Sequence, residues 1–238
     1  MDEVLIIPDV HGRTFWKEAV AARDYDRIVF LGDYVDPYPE EGINTEMAYN
    51  VLFDILDLKR ADPERIVLLW GNHDMHYFSD YFRQYACGSR YDIEYADTFR
   101  YIFETYKDYF QMAFECTMSA RRYLFTHAGV VPVWYEENHA LVGELSADNL
   151  NRLPSTYHGM RALMHVGAVR GGEWPVGSPL WADLFEMMAS EPLSDAYQIF
   201  GHSQQKAGRP KMTDHWACLD CQRPFILDNR GLFIVKGR

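Results

Sequence analysis

The segment Val4–Gly12 reads VLIIPDVHG, four apolar residues followed at once by a short polar motif. Two further segments repeat this order, RIVFLGDYVD at 27–36 and RIVLLWGNHD at 65–74. A short apolar run bounded by a turn is typical of a strand buried on both faces, as in a parallel sheet. Because open α/β sheets bind ligands at the carboxyl ends of their strands, the three segments predict a parallel sheet with polar ligands along one edge.

Helix-like segments separate these strands and complete the βαβ pattern. Phe15–Ala22 lies between the first two strands, and Thr45–Leu58 lies between the second and the third. Thr98–Phe110 also has apolar residues near helical spacing, which predicts a helix that covers the sheet edge.

The second half of the chain predicts a hairpin, an irregular region and a set of short strands. Ala113–Met118 and Arg122–Thr126 read as an antiparallel pair turning at Ser119 and Ala120. Residues 130–195 are less regular and rich in Gly and Pro, so we expect a cap of helices and loops that faces the substrate. Four later strands are expected to form a second sheet: Tyr197–Phe200, Trp216–Leu219, Phe225–Leu227 and Leu232–Val235.

Composition limits the class of protein. With 238 residues, 48% of them hydrophobic, the chain predicts one globular domain over 1–238. A net charge of -12 and a pI near 5.1 argue against a broad nucleic-acid surface. The sequence shows neither a signal peptide nor an apolar run that could span a membrane, so the expected compartment is the cytoplasm.

The four cysteines do not predict a disulfide or a zinc site. Cys218 and Cys221 form a CxxC, but no second pair completes a tetrahedral site, and a strand would send them to opposite faces. Ordinary thiols are the expected state. His76 is interpreted as a residue of the pocket rim. The other cysteines and histidines outside the motifs are interpreted as structural or surface residues: Cys87, Cys116, His139, His158, His165 and His215.

Five short motifs in one order predict a two-metal site: DVHG, GDYVD, GNHD, THAG and GHS. Each ends a strand-like run, and together they supply oxygen and imidazole ligands of the kind that suits divalent ions of intermediate hardness. Asp9 and His11 are expected to bind the first metal, and the two oxygens of Asp33 to bridge both metals. The second metal is expected to bind Asn72, His127 and His202.

Two such cations lower the pKa of a shared water, so the attacking hydroxide needs no Ser or Cys nucleophile. The leaving alkoxide still requires a proton. His73 lies beside Asn72 in sequence and is the expected donor, and Asp36 is expected to orient and charge its ring.

These motifs resemble those of the calcineurin-like metallophosphoesterases, above all the phosphoprotein phosphatase branch. Its pattern is GDxHG, GDxVDRG, GNHE, HGG or HAG, and a later GH, and here PDVHG, GDYVDPY, GNHD, HAG and GHS match it. SPLWADL at 178–184 is similar to the LLWSDP segment of that branch. The resemblance covers most of the chain and implies a four-layer αββα sandwich of two mixed sheets. It also implies two divalent ions, with Mn²⁺ expected and Fe or Zn²⁺ as alternatives, Asp33 as the bridge, and His73 with Asp36 as the proton-donating pair.

The chain departs from that branch in its arginines. The branch has a phosphate-clamping Arg directly after GDxVD, where this chain has Pro37, and residues 184–200 contain no Arg or Lys in place of a second clamp. An anionic phosphate oxygen is matched by the fork of an Arg. Arg13, Arg170 and Arg161 are the candidates in this sequence.

The sequence therefore predicts a metal-dependent phosphoester hydrolase. A phosphomonoesterase resembling the Ser/Thr phosphatases is the first hypothesis, with a phosphoprotein or a small phosphorylated metabolite as substrate. A nucleotide pyrophosphohydrolase or phosphodiesterase, for example one acting on dinucleoside polyphosphates, is the alternative. A non-catalytic scaffold is disfavoured because every proposed ligand and His73 are present. The sequence does not give an oligomeric state.

Overall fold

The computed structural model describes residues 3–86, 89–193, 195–205 and 208–235. The chain divides into two compact units. The first unit comprises Glu3–Gln111 and Gln222–Arg238, and the second comprises Met112–Cys221. Each unit contains one mixed β-sheet with its helices, so the mixed α/β fold class with two mixed sheets is confirmed. That the chain works as one domain remains a prediction.

Strands and helices of the described residues are numbered here in chain order. The strands are β1 Glu3–Ile7, β2 Arg27–Phe30, β3 Ile66–Leu69, β4 Phe110–Gln111, β5 Ala113–Met118, β6 Arg121–Thr126, β7 Tyr197–Phe200, β8 Lys211–Met212, β9 Trp216–Cys218, β10 Phe225–Asp228 and β11 Gly231–Ile234. The α-helices are α1 Lys17–Ala22, α2 Thr45–Ala61, α3 Asn72–Phe78, α4 Asp80–Arg83, α5 Ala96–Thr105, α6 Pro132–Glu137, α7 His139–Val142, α8 Ala147–Arg152, α9 Tyr157–Leu163 and α10 Leu184–Ala189.

The sheet of the first unit has the order β11-β10-β1-β2-β3-β4. Strands β1 to β4 run parallel, and every residue of β3 is buried. The parallel sheet predicted from the apolar runs is confirmed. The three polar motifs follow the carboxyl ends of its strands β1, β2 and β3. Burial on both faces explains why these strands show no alternation of apolar and polar residues.

The last two strands correct one expectation. β10 and β11 belong to the first sheet, not the second, because β10 pairs antiparallel with β1, with Ile6 opposite Phe225. An unpaired β1 would leave a row of backbone N–H and C=O groups at an apolar sheet edge. The returning tail satisfies these groups and makes the sheet mixed.

The sheet of the second unit has the order β5-β6-β7-β9-β8. β5 and β6 form the predicted hairpin, and Ser119 and Ala120 at its turn have φ values of 51° and 63°. Positive φ at both central residues is the geometry of a type I′ hairpin turn. β6, β7 and β9 run parallel, so the ends of β6 and β7 lie side by side.

Helix α2 confirms the helix predicted at Thr45–Leu58 and continues to Ala61. Its first turn is capped by Asn44, whose side-chain oxygen accepts a hydrogen bond from the backbone N–H of Met47 at 2.8 Å. The helix predicted at Thr98–Phe110 is too long, because α5 ends at Thr105. Phe110 instead belongs to β4, where it pairs with Leu68 and stacks on Trp70 at 4.5 Å between ring centroids.

Residues 130–195 form short helices joined by loops, as expected for the irregular region. Trp134 on α6 is completely buried and donates a hydrogen bond to the carbonyl of Ala162 on α9 at 3.0 Å. Helices α6 and α9 are thus fixed to each other within the second unit. No helix in the described part of the chain combines the length and apolar character that a membrane span requires.

No disulfide joins the three described cysteines, of which Cys116 is half-buried and Cys218 and Cys221 are buried. β9 ends at Cys218, so the two residues of the CxxC do not share one strand. Cys87 lies outside the described residues. His139, His158 and His215 are exposed, whereas His165 is buried and stacks on Trp174 at 3.6 Å.

Candidate metal centre

The loops that leave β1 and β2 are joined by backbone hydrogen bonds. The N–H groups of Val10 and His11 both donate to the carbonyl of Asp33, at 3.1 and 2.7 Å, and Gly12 N–H donates to the carbonyl of Tyr34 at 3.1 Å. Because β1 and β2 are parallel neighbours, the two motifs begin side by side. The hydrogen bonds between them fix the backbone that carries the predicted ligands. The predicted ligands Asp9, His11 and Asp33 are all at least 97% buried, as their exposed fractions of 1%, 3% and 2% show.

Several of the predicted functional residues have strained backbones. His11, Asp33 and Asp36 have φ values of 45°, 53° and 57°, and His202 in the second unit has 64°. Residues other than glycine rarely adopt this left-handed region, and each instance costs about 1–3 kcal/mol. Glycines of the same motifs, such as Gly12 and Gly32, also have positive φ, at 75° and 106°.

His11 is oriented as a metal ligand would be. Its Nδ1 lies 2.8 Å from the carbonyl oxygen of Val35, and its Nε2 lies 3.4 Å from an Asp33 carboxylate oxygen. Burial lowers the pKa of His11 well below the usual value, although Asp33 acts in the opposite direction. A neutral ring that donates from Nδ1 to a carbonyl leaves the Nε2 lone pair for a cation. The donor set of this unit therefore fits a divalent metal.

His11, Asp33 and His73 present ligand atoms that all lie within 4.8 Å of one another. Asp33 also accepts a hydrogen bond from the backbone N–H of His73 at 3.0 Å. Asn72, the predicted amide ligand, is the first residue of α3 and has only 2% of its surface exposed. The structure thus collects these residues at the carboxyl ends of β1, β2 and β3.

Asp74, which was not among the predicted site residues, fixes this arrangement. Its carboxylate accepts three backbone hydrogen bonds, from Asp33 at 2.9 Å, from Tyr34 at 2.9 Å and from Gly71 at 3.0 Å. A Cβ on Gly71 would lie 2.1 Å from an Asp33 carboxylate oxygen, so only glycine fits there. An acidic residue at the third position of a helix is typical of a capping box, and this pattern in the sequence could have identified Asp74.

The predicted proton-donating pair is in direct contact. Nδ1 of His73 lies 2.7 Å from one oxygen of the completely buried Asp36, and the hydroxyl of Tyr77 donates to the other oxygen at 2.5 Å. Tyr77 accepts in turn from the backbone N–H of Asp92 at 2.7 Å. Tyr77 was not predicted, although its place four residues after His73 on a helix puts both side chains on one face.

The pKa of His73 is raised. Burial alone would lower it, but the carboxylates of Asp33 and Asp36 outweigh the burial and favour the charged ring. His76 is not at a pocket rim: it is completely buried, its ring lies 5.6 Å from that of His73, and burial lowers its pKa to about 4. Of the two histidines of α3, His73 is therefore the one whose surroundings favour the charged ring.

The second unit contributes two further predicted ligands. His127 follows β6 and His202 follows β7, and these strands are parallel neighbours. Nε2 of His127 lies 3.1 Å from Nδ1 of His202. Two imidazole nitrogens that each bind one cation at about 2.0–2.1 Å can approach to such a distance, so the pair fits a shared metal ion.

Arg13, the first arginine candidate, is paired with a carboxylate. Its guanidinium makes two hydrogen bonds to Glu41, at 2.6 and 2.8 Å, and only 6% of Arg13 is exposed. The same group lies 4.8 Å from the ring centroid of Tyr38. Arg13 therefore joins the loop after β1 to the loop after β2.

The other two candidates lie in the second unit. Arg170 forms an ion pair with Asp183 at 2.7 Å and donates to the hydroxyl of Ser203 at 2.9 Å, beside His202 in sequence. Arg161 is exposed on α9 and lies 6.0 Å from the ring of Tyr157. Only Arg170 contacts one of the five motifs in this unit.

Comparison with known proteins is consistent with the motifs. A sequence model of the calcineurin-like phosphoesterases matches residues 3–205. The chain belongs to this family. A serine/threonine phosphatase from Saccharomyces cerevisiae, described as similar to human phosphatase PP5, is a similar solved structure. It is 14% identical, with a TM-score of 0.54 over 100% of this chain and 81% of that chain. This likeness shows the calcineurin-like phosphoesterase fold.

A metallophosphoesterase from Sphaerobacter thermophilus is also similar in structure. It is 14% identical, with a TM-score of 0.42 over 100% of this chain and 89% of that chain. A search of curated proteins finds no match.

Proposed function

We propose that this calcineurin-like phosphoesterase is a dinuclear-metal-dependent hydrolase of phosphomonoesters. Asp9 and His11 would hold one cation and Asp33 would bridge, with Mn²⁺ as the expected metal. The other cation would be held by Asn72, His127 and His202. The family and the oxygen and imidazole donors found in each unit support this assignment.

Bound cations would supply an activated water and polarise the phosphate, so no Ser or Cys nucleophile is required. The chain itself must deliver a proton to the leaving group. His73 is suited to this task, because Asp36 holds its Nδ1 and leaves Nε2 to carry the transferable proton. Its side chain is 13% exposed, which leaves a path to a substrate.

The Asp36–His73 pair is the observation that carries the proposal. A buried carboxylate that orients a histidine and raises its pKa is the arrangement expected of a general acid. An alkoxide leaving group, such as that of phosphorylated Ser or Thr, needs this proton, whereas an acidic phenol leaves without it. The fold shared with a serine/threonine phosphatase supports a phosphorylated protein or a small phosphoester as substrate. Residues 130–195 would form the cap that faces it.

The leaving group provides the test. Purified protein should hydrolyse p-nitrophenyl phosphate and an alkyl phosphomonoester when Mn²⁺ is added, and a chelator should abolish both activities. Asp33→Asn should abolish turnover of both substrates. His73→Ala should reduce kcat for the alkyl ester about 100-fold or more, and for the aryl ester by much less, because general acid catalysis is worth about 10²–10⁴-fold.

His158→Ala, which removes an exposed histidine of α9, is the matched control and should leave both rates unchanged. Absence of metal-dependent turnover, or an equal loss for both esters in His73→Ala, would contradict the proposal. A panel of phosphopeptides, mononucleotides, cyclic nucleotides and dinucleoside polyphosphates then separates phosphomonoesterase from pyrophosphohydrolase activity.

A further inference from the structure

The loop that follows β2 carries no positive charge of its own where it leaves the GDYVD motif. Asp36 is followed by Pro37 and Tyr38, so this loop offers no cation to a substrate phosphate. Arg13 and Arg170, although they lie beside metal motifs, are each paired with a carboxylate at 2.6–2.7 Å. A guanidinium neutralised in this way gains little from an additional anion.

Arg90 differs from both. Its guanidinium lies over the ring of Tyr38 at 3.6 Å from the centroid, and its Nε donates to the backbone carbonyl of Asp36 at 2.9 Å. Its Nη2 lies 3.5 Å from Nδ1 of His11. The residue arrives from a segment 54 positions after Asp36 and is half-buried.

The charge of Arg90 acts on the Glu41 carboxylate through space, where it helps to lower the pKa of that group, but not through a direct ion pair. Among the residues that the structure describes, it forms no ion pair with a carboxylate; its partners are a carbonyl, an aromatic ring and the edge of a histidine. These contacts hold the guanidinium in place without cancelling its charge. A preorganised and unpaired arginine beside a metal motif is a suitable donor for phosphate, since its planar fork matches two phosphate oxygens.

We propose that Arg90, held against Tyr38, binds the phosphate of the substrate. Arg90 lines an open cleft of about 690 Å³ that also carries the acidic residues Asp92 and Glu94, and a ligand can approach Arg90 there from solvent. Tyr38 is a positioning residue in this arrangement, because its ring supports the guanidinium. The proposal rests on the proposed phosphoesterase function.

Substitution of Arg90 provides the test. Arg90→Ala should raise KM for p-nitrophenyl phosphate and weaken inhibition by inorganic phosphate about 10- to 100-fold, as expected for the loss of charge-assisted hydrogen bonds. Direct calorimetric titration of the Mn²⁺-loaded protein with inorganic phosphate should show the same loss without any turnover. Arg90→Lys should lie between the two, because it keeps the charge and loses the fork.

Arg83→Ala is the control, because Arg83 is exposed and also lies near a tyrosine ring, at 5.9 Å from Tyr91. It should leave KM and phosphate affinity unchanged. Unaltered phosphate affinity in both Arg90 variants would overturn this inference while leaving the phosphoesterase function standing. If instead the wild-type protein hydrolyses no phosphoester, the proposed function fails, and phosphate titration still decides whether Arg90 binds the anion.

Discussion

Tyr77 holds the carboxylate of Asp36 in position through its hydroxyl group. Its hydroxyl donates to Asp36, and burial together with the Asp36 charge raises the pKa of Tyr77 well above its usual range. The phenol therefore stays protonated at any working pH and always donates. One oxygen of Asp36 is occupied by Tyr77, so the other remains directed at Nδ1 of His73.

Removal of this hydroxyl should impair proton delivery but not substrate binding. Tyr77→Phe keeps the buried ring, which stacks on Tyr91 at 4.4 Å, and removes one hydrogen bond from Asp36. We expect kcat for an alkyl phosphomonoester to fall about 3- to 10-fold, since a perturbation of about 1 kcal/mol changes a rate about fivefold. KM should change little.

Steady-state kinetics with alkyl and aryl esters measure this effect. Tyr101→Phe removes the hydroxyl of a tyrosine that is 72% exposed on α5, and it should have no effect. A kcat equal to wild type for the alkyl ester would show that Tyr77 does not position Asp36 for catalysis.

At the scale of elements, the short 3₁₀ helix Pro39–Glu41 is tied to the exit of β1 through Arg13. Glu41 also accepts from the side chain of Gln222 at 3.1 Å. The hydrogen bonds from Arg13 lower the pKa of Glu41, and burial only partly opposes them. The ion pair thus holds the segment that carries Tyr38 against the loop of the first metal motif.

The pairing predicts a pH dependence of stability. Because the pKa of Glu41 is lower in the folded than in the unfolded state, its contribution is complete above the unfolded value of about 4.3 and disappears as pH falls through the folded value. Glu41→Gln should reduce the free energy of unfolding by about 1 kcal/mol at pH 7. The difference from wild type should narrow as pH falls below about 4.3 and vanish only below the lowered pKa of Glu41 in the folded chain.

Urea unfolding between pH 3 and pH 7, with chelator present, gives the free energies. Glu40→Gln changes a neighbouring exposed acid and should follow the wild-type curve at every pH. A constant difference between Glu41→Gln and wild type across this range would rule out the assigned ion pair as its source.

Elements differ in how far the sequence determines them. β1, β2 and β3 were predictable because each is a continuous apolar run that ends in a turn motif, which requires no knowledge of the partners. β4 was not, because two residues carry no pattern, and its pairing with β3 depends on Phe110 packing against Trp70. The sheet to which β10 belongs depends on the open edge of β1, which lies over 200 residues away in sequence.

The residues of the candidate site also differ in how far the sequence determines them. The motifs identified His11, Asp33, Asp36 and His73 because each motif comes directly after an apolar strand. The contact between Asp74 and the backbone of Asp33 joins residues 41 positions apart, and that between Arg90 and Asp36 joins residues 54 apart. No local spacing encodes either contact, so only the folded chain reveals them.

At the scale of the whole molecule, several buried negative charges lie where metal is expected. The net charge is -12, and four aspartates of the first unit are at most 2% exposed: Asp9, Asp33, Asp36 and Asp74. Burial and the nearby Asp33 raise the pKa of Asp74 well above its usual value, which reflects the cost of charge in this cluster. Buried charges of one sign destabilise a fold unless cations compensate them.

Metal binding should therefore stabilise the folded chain, and removal of one carboxylate should stabilise its metal-free form. At a Mn²⁺ concentration about 100 times the dissociation constant, linkage gives about 2.7 kcal/mol, which corresponds to a rise in Tm of about 5–11 °C for a chain of this size. Asp33→Asn should lose this rise and melt above the wild type in chelator, because repulsion among the buried aspartates is reduced. Thermal unfolding followed by circular dichroism, with Asp97→Asn as the exposed control, measures both effects. Identical wild-type melting with Mn²⁺ and with chelator would contradict the proposed ligand set, because a cation bound by the folded state alone must shift the unfolding equilibrium.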